Sequence, residues 1–527
     1  MRTQLRWVGP TLVLGIATVL RFWALDRPDT LVFDELYYVR DAISQLAHGF
    51  PTVWPDSDPS MAGARATSFT ADPTNAVHPP LGKWLIGLGI LAFGPESGWG
   101  WRSASALAGV ATVGIVMRLG WLMSRSMVVA CLAGFLLAID GVHVVLSRVG
   151  LLDGFLATFV ALGALLVWRD QLAVAQRASA SPSTVPVLWA RPWLLAAGVA
   201  FGAAAAVKWS GLYPLAAFLV FITIRDLLTR LRSRTPQPLL RATGQAGIAA
   251  LLTLPATALV YVASWAGWIA TAGGWRRDPG VPWPSALLQY HREMLGWHGT
   301  LNAPHPYQAN PLTWPLALRP TAMYEERWSD GCPWDECVAA VSPLPNPLVT
   351  WGGVIALGVL VWVVVRALRE RRAAHTLSTA RHALPQPAGA GSAGSAGSAG
   401  STPALALPLG TASAFLLVGY LSGWLPWVAT VSRPAVFQFY AVVLTPFAAL
   451  ALALVIALIC RWGALGRAAA ALGMRGLAAG ELRGRRAAAV LFLSFAFALA
   501  LFFAPVWFGQ PVAEWFWRAH LWLPGWD

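Results

Sequence analysis

The sequence predicts an all-α membrane protein that crosses the bilayer many times, and its composition, its repeated apolar segments and its arginine clusters lead to this class. The chain has 527 residues, of which 57% are hydrophobic and only 12% charged, whereas soluble proteins carry about 25% charged residues. Its mean hydropathy is +0.57. Apolar segments of about 20 residues, the length needed to span a bilayer, recur along the chain. Dense arginine clusters separate them in a pattern typical of membrane topology.

Eleven segments have the length and composition of a membrane span. The first follows Arg2 and Arg6 and is not followed by a small-residue cleavage site, so it is predicted to remain as an uncleaved span with a cytoplasmic N-terminus. The predicted spans are residues 8–25, 103–123, 127–146, 151–168, 193–209, 211–225, 245–269, 349–366, 407–423, 437–460 and 487–505.

The chain is predicted to form one membrane domain, 1–527. Two of the connections between its spans are long outer loops, 26–102 and 270–348. Residues 382–406 contain "AGAGSAGSAGSAGS", which predicts a flexible cytoplasmic linker. The dense arginine clusters fall on the cytoplasmic side, as the positive-inside rule requires, and the C-terminus falls outside. The net charge of +14 therefore reflects topology, and nucleic-acid binding is excluded because no soluble basic domain is present.

An acidic pair opens the first outer loop, in "TLVFDELYYVRDA". From Asp34 onward, apolar residues recur at helical spacing and predict a short amphipathic helix lying on the membrane. Asp34 and Glu35 then stand at its N-terminus, where an acid can cap the helix and favour its positive end. Capping explains one acid well, but it explains two adjacent acids less well.

The same loop ends in "NAVHPPLGKWLIGLGILAFG", whose apolar part is too short to span and predicts a re-entrant or interfacial helix. His78 and Lys83 bracket its start. Lys83 and Lys208 are the only two lysines, and both fall on the outer side. Each lysine can extend to the interface for structural reasons, or contact a phosphate.

Further charged residues gather at the same outer boundary. Arg148 and Asp153 in "SRVGLLDGF" are close enough on a helix to pair with each other, which is a structural alternative to a functional role. A carboxylate that accepts a proton, near cations that hold an anionic leaving group, suits group transfer from a lipid phosphate. The other polar candidates here are Arg102, Arg433, His291, His298 and His305, with weak support for metal binding.

Two cysteines lie in "DGCPWDEC" within the second outer loop. Because the outer side is oxidising, Cys332 and Cys337 are predicted to form a small disulfide loop. A metal pair is the weaker interpretation, since no His or further Cys lies close in sequence. Two free thiols remain the structural alternative.

Seven motifs occur in a specific order and together resemble the protein O-mannosyltransferases, in the bacterial branch typical of actinobacteria. The resemblance extends from about residue 8 to 459. The motifs are "FDELYYVRDA", "HPPLGKWLI", "WRSASALAG", "SRVGLLDGFLATF", "VKWSGLYP", "HPYQANPLTWPLALRP" and "WLPWVATVSRPAVFQFY".

The resemblance implies a glycosyltransferase of the GT-C class. Such an enzyme transfers mannose from polyprenyl-phosphate mannose to Ser or Thr hydroxyls of secreted proteins, with inversion, at the outer face of the cytoplasmic membrane and alongside the secretion translocon. By motif, Asp34 is the implied general base, and Glu35 positions the acceptor or the loop. Lys83, Arg102 and Arg433 are the implied phosphate ligands. Secondary candidates are His78, Arg148, Asp153, Lys208 and His305.

The resemblance also leaves two points open. Eukaryotic members carry a β-trefoil insert in the second outer loop, which this chain lacks, so the loop itself must select the acceptor. No metal signature is evident, although some GT-C relatives use a divalent cation near such an acid. A GT-C transferase with a glycan or lipid acceptor is one alternative. A transporter is another, but it would place charges near the bilayer midplane.

Overall fold

The computed structural model describes residues 2–180, 186–301, 304–383, 407–430, 435–474 and 476–526. The predicted phosphate ligand Arg433 lies outside the described residues. So does nearly all of the predicted linker 382–406. The side chains of residues 2–6, 178–180 and 371–383 are likewise not described.

The described chain is mostly α-helical, as predicted. The helices are α1 Arg2–Phe22, α2 Glu35–His48, α3 Leu81–Phe93, α4 Gly98–Ser124, α5 Met127–Ala138, α6 Gly141–Leu146, α7 Leu152–Ala180, α8 Pro192–Val207, α9 Leu212–Arg232, α10 Pro238–Ser264, α11 Ala266–Ala270, α12 Trp283–Thr300, α13 Pro347–Ala383, α14 Leu409–Ala429, α15 Thr445–Ile459, α16 Leu465–Ala471, α17 Ala479–Trp507 and α18 Glu514–Arg518. Short 3-10 helices cover Gly63–Thr67, Trp209–Gly211, Pro311–Leu316 and Gln438–Leu444.

Each of the eleven predicted spans overlaps a helix. Within the described residues, eight helices are long and apolar enough to cross a membrane, and α5, α8 and the Trp7–Phe22 part of α1 are apolar but shorter. The segment predicted as one span over 127–146 is divided, because the Asp140 carboxylate accepts a hydrogen bond from the His143 backbone N–H at 2.9 Å and starts the new helix α6. An N-terminal capping carboxylate of this kind favours a helix start over continuation of α5.

The first loop contains the two predicted short helices. Helix α2 is followed by Gly49, whose φ of +85° lies in the left-handed region that glycine adopts readily. Helix α3 is 13 residues long and starts after Pro80. A side-chain carbon added at Gly87 would meet Leu46 at 3.2 Å, so the absence of a side chain at Gly87 lets α3 pack closely against α2.

A small antiparallel sheet was not predicted by the all-α assignment. Its order is β1-β2-β3, formed by Tyr324–Trp328, Cys337–Val341 and Val512–Ala513. Trp328 pairs with Cys337, and Val338 with Val512. Cys332 and Cys337 form a disulfide with an S–S distance of 2.03 Å. The second long loop and the C-terminal segment therefore lie at the same end of the helical bundle, which we call the loop end.

Candidate active site

A cavity of about 190 Å³ lies at the loop end. Its walls come from helices α7, α9, α12 and α14 together with both long loops, so residues distant in sequence meet there. Polar groups line one part and aromatic rings another. The polar and aromatic lining residues include His78, Asp153, Lys208, Trp209, His298 and Tyr440.

Asp34 lies beside this cavity, at the residue that precedes α2. Its side chain makes no capping hydrogen bond to the helix, so the capping interpretation does not account for it. Instead, the Tyr38 hydroxyl donates to Asp34 Oδ2 at 3.3 Å. The Asp34 carboxylate is therefore kept away from the helix backbone, where it can accept a proton from another group.

Enclosure by protein changes the acidity of Asp34. Burial raises the pKa of Asp34 to about 6, and the negative charge of Asp153 adds to this effect. The positive charge of Lys208 and the hydrogen bond from Tyr38 act in the opposite direction, lowering the pKa. Part of the Asp34 surface stays accessible. A carboxylate with a pKa near 6 is a stronger base than an ordinary one and is still mostly ionised at neutral pH.

The backbone immediately before Asp34 is held in an uncommon conformation. Phe33 has a φ of 47°, in the left-handed region that non-glycine residues rarely adopt. Its ring packs edge-on against His305, Phe437 and Phe439, with centroid distances of 5.8, 5.9 and 5.7 Å. Such strain costs about 1–3 kcal/mol and persists only when surrounding contacts fix it. His305, a secondary candidate, is thus part of the packing that fixes Asp34.

Glu35 points the opposite way and is fully buried. It forms a two-pronged ion pair with Arg102: Nε–Oε1 and Nη2–Oε2 are both 2.9 Å. The Glu35 carboxylate also accepts from the backbone N–H groups of Val32, at 2.9 Å, and Gly150, at 2.6 Å. Glu35 therefore ties the start of α2 to α4 and to the segment before α7, and it fixes the position of the neighbouring Asp34.

Arg102 does not fit the predicted role as a phosphate ligand. In addition to Glu35, its guanidinium donates to the backbone carbonyls of Leu25, Pro28 and Thr30, at 3.2, 2.9 and 2.8 Å. All of its nitrogens are occupied, and its side chain is only 1% exposed. The reason is that α4 starts under the first loop, so Arg102 points into the loop and away from the cavity.

Lys83 is also occupied by protein groups. Its Nζ lies 3.0 Å from Asp41 Oδ2 and donates to the His78 carbonyl at 3.2 Å. The side chain is 1% exposed. This ion pair joins α2 to α3, and it does not fit the predicted phosphate contact.

Lys208 is the lysine that lines the cavity. Its Nζ donates to Asp153 Oδ2 at 2.7 Å and lies 4.7 Å from the Tyr440 ring centroid. The Arg148–Asp153 pair considered as a structural alternative is therefore wrong. Arg148 turns away instead and donates to the carbonyls of Arg21 and Ala24, at 3.1 and 3.0 Å. Sequence proximity suggested the wrong partner, because α8 brings Lys208 to Asp153 only in the folded bundle.

Histidines and aromatic rings form the opposite wall. His78 lies 5.3 Å from His298, ring centroid to centroid, and Trp209 is 6.0 Å from His298. Trp209 also stacks on His291 at 5.9 Å and donates from Nε1 to the Tyr261 hydroxyl at 2.9 Å. His291 and His298, seven residues apart on α12, lie on one face of that helix, since Trp209 contacts both rings. Sequence reasoning did not identify Phe33, Tyr38 or Trp209, whose positions depend on tertiary contacts.

No group of three or more His, Cys, Asp or Glu side chains that could hold a metal ion occurs within the described residues. Asp153 is paired with the ammonium of Lys208, and no step below uses a divalent cation.

The fold defines the class first. The chain is similar to a chain of the Saccharomyces cerevisiae protein O-mannosyltransferase Pmt1-Pmt2 complex bound to the sugar donor, with a TM-score of 0.68 at 14% identity over 99% of this chain and 92% of that one. It is also similar to ArnT from Cupriavidus metallidurans bound to undecaprenyl phosphate, with a TM-score of 0.50 at 16% identity over 95% and 76%. The architecture is thus that of the GT-C membrane glycosyltransferases.

Sequence comparisons then identify the family. Residues 91–270 match the model for dolichyl-phosphate-mannose-protein mannosyltransferase, and residues 284–526 match that for the C-terminal four-transmembrane region of protein-O-mannosyltransferase. Proteins named polyprenol-phosphate-mannose–protein mannosyltransferase are 31% identical in Mycobacterium tuberculosis, over 99% of this chain and 92% of theirs, and 26% identical in Corynebacterium glutamicum, over 98% and 92%. The chain belongs to the protein O-mannosyltransferase family.

Proposed function

We propose that this protein transfers mannose from polyprenyl-phosphate mannose to Ser or Thr hydroxyls of protein acceptors. The observation that carries the proposal is that Asp34, a carboxylate with a raised pKa, interacts electrostatically with Lys208 and Asp153, which line the cavity. The names of the full-length bacterial relatives support the donor and the acceptor class.

In this mechanism Asp34 takes the proton of the acceptor hydroxyl while the oxygen of that hydroxyl attacks C1 of mannose. The new C1–O bond forms as the C1–O bond to phosphate breaks, and a single displacement of this kind inverts the anomeric centre. The leaving lipid phosphate gains one negative charge, which the ammonium of Lys208 is placed to stabilise. Lys208 thus replaces Lys83 and Arg102 as our candidate on the phosphate side, whereas Arg433 stays a prediction.

Charge coupling between the two sides of the site adds a further step. The positive charge of Lys208 lowers the pKa of Asp34, and the negative charge of its partner Asp153 raises it. A donor phosphate beside Lys208 would add a second negative charge and raise the basicity of Asp34 further. Donor binding would therefore prepare the base for the acceptor.

We further propose that the loop end faces the outside of the cytoplasmic membrane, where acceptors emerge from the secretion translocon. Arginines near the opposite ends of the helices, such as Arg230, Arg232 and Arg369, support this orientation by the positive-inside rule.

One experiment tests both the chemistry and the orientation. Right-side-out membrane vesicles containing the protein would receive labelled polyprenyl-phosphate mannose and a membrane-impermeant peptide rich in Thr and Pro. We expect labelled peptide. Label on lipid or glycan instead of peptide would favour the alternative GT-C transferase, and labelling only in inverted vesicles would overturn the orientation.

The pH dependence of transfer should report the raised pKa of Asp34. Because the base must be ionised, kcat/KM should increase with pH through about 6 and, below that value, fall about tenfold per pH unit. The check is a pH profile of peptide mannosylation from about pH 4.5 to about pH 8, a range that brackets the expected midpoint. A profile that stays flat down to pH 5 would contradict Asp34 as the base.

Substitution of Lys208 should change the profile as well as the rate. Lys208→Met removes the charge that lowers the pKa of Asp34, so the midpoint should move to higher pH and donor KM should rise. Lys208→Arg keeps the positive charge and should retain the original midpoint. If Lys208→Met lowered only the amount of folded protein and left the midpoint unchanged, the proposed role of Lys208 would be wrong.

A further inference from the structure

A second cavity, of about 50 Å³, lies at the other end of the same helices. Helix α9 starts beside the catalytic cavity at Tyr213 and reaches the second cavity at Arg225. Helix α7 connects them too: Gln171 follows Asp153 by eighteen residues, or about 27 Å at 1.5 Å per residue. The polar lining includes Gln171, Arg177, Arg191, Arg225, Asp226 and Gln245.

The charges around this cavity do not cancel. Arg191 pairs with Asp170, with Nε–Oδ1 at 3.0 Å, and Arg230 pairs with Asp226 at 2.7 Å. Both carboxylates are thereby matched by an arginine. Two further arginines, Arg177 and Arg225, have no carboxylate within 4.0 Å in the part of the chain that the structure describes.

The two surplus arginines use few of their donors on protein. Arg225 donates to the side-chain oxygen of Gln171, and Arg177 to the Ala190 carbonyl at 2.6 Å. Five N–H groups are available on each guanidinium. Arg225 is only partly exposed, and its nearby carboxylates, Asp170 and Asp226, already pair directly with Arg191 and Arg230. Enclosing a further positive charge among helices is costly. The cavity therefore favours an anionic ligand.

The walls that would surround such a ligand are fixed. Gln245 accepts from the Leu188 N–H at 2.7 Å and donates to the Leu188 carbonyl at 3.0 Å, which holds the segment before α8 in place. Helix α8 starts at this cavity, directly after Arg191, and the N-terminal end of a helix adds positive potential. The site is thus prearranged for a small anion.

The surroundings indicate where the anion comes from. Ile224 and Leu228, on either side of Arg225 along α9, are 52% and 38% exposed, as expected of residues that face lipid tails. We propose that the second cavity binds the phosphate of an anionic phospholipid headgroup, with Arg225 and Arg177 as its ligands. Basic pockets between helices at the cytoplasmic face are suited to this chemistry.

The test compares lipid binding of purified full-length protein and of three variants. Native mass spectrometry would count phosphatidylglycerol retained against phosphatidylcholine of the same chain length. Arg225→Gln and Arg177→Gln remove one proposed ligand each, and Arg177 is exposed, so its substitution does not threaten folding. Arg232→Gln is the matched control, because Arg232 is an exposed arginine of the same helix that does not line the cavity.

We expect each ligand variant to bind phosphatidylglycerol about tenfold more weakly, which corresponds to about 1.4 kcal/mol, while Arg232→Gln binds like the original protein. Inorganic phosphate tested as a competitor distinguishes a lipid headgroup from free phosphate as the ligand. If inorganic phosphate displaces the lipid only at a concentration far above that of the lipid, the headgroup is the ligand. Equal binding by all variants, or no preference for phosphatidylglycerol over phosphatidylcholine, would overturn the proposal. So would inorganic phosphate that binds as tightly as the lipid.

Discussion

Asp34→Asn is expected to lower the rate of mannosyl transfer about 10²–10⁴-fold, the usual contribution of a general base. The amide has nearly the size of the carboxylate but cannot take the acceptor proton. The KM for the lipid donor should not rise, because Asp34 acts on the acceptor side and the loss of its negative charge removes a repulsion of the donor phosphate. The measurement is peptide mannosylation by purified protein at saturating donor.

Asp72→Asn is the matched control for this substitution, since Asp72 is an exposed acid of the same loop. It should retain full activity. If Asp34→Asn kept more than a tenth of the rate, or if both variants lost activity equally, Asp34 would not be the base. Gel filtration and membrane insertion would be compared for both variants, so that loss of fold is not read as loss of chemistry.

Glu35→Gln should lower the free energy of unfolding by about 3–5 kcal/mol, the cost of leaving one member of a buried ion pair without its partner. Arg102 would remain as a buried cation with a neutral amide in front of it. Because Glu35 also fixes the residue beside it, transfer should fall together with stability. Equilibrium unfolding in mixed micelles and the peptide assay would be run on the same preparations.

Arg65→Gln provides the contrast, because Arg65 and Asp58 form an ion pair that is exposed in the same loop. Exposed pairs contribute about 0–1 kcal/mol, so this variant should remain close to the original in both measurements. A Glu35→Gln variant with normal stability but a large increase in donor KM would favour the sequence prediction that Arg102 contacts the phosphate.

The helices could be predicted because each is determined locally. A run of apolar residues forms a helix in a bilayer to satisfy its own backbone hydrogen bonds, and the periodic apolar residues of α2 likewise predicted that helix. The sheet could not be predicted in this way. Its strands are at most five residues long, and Val512 pairs with Val338 far away in sequence, so neither segment shows a pattern of its own.

The sequence indicated some of the residues that line or adjoin the proposed catalytic cavity. Asp34 was selected by its motif, and its raised pKa is consistent with the role we propose. The sequence could not rank the cations as phosphate ligands, since it shows the charges of Arg102, Lys83 and Lys208 but not the groups that pair with them. Only Lys208 of these three lines the cavity.

The sequence by itself determined the membrane class, the helical segments and the place of the acidic pair in the first loop, because hydrophobicity and helical periodicity act between near neighbours. The tertiary structure decided which of two adjacent acids is tied to Arg102 and which lies beside the cavity. It also decided that Asp153 pairs with Lys208 and not with Arg148. Electrostatic pairing depends on distances between side chains, and these are set only when the helices pack.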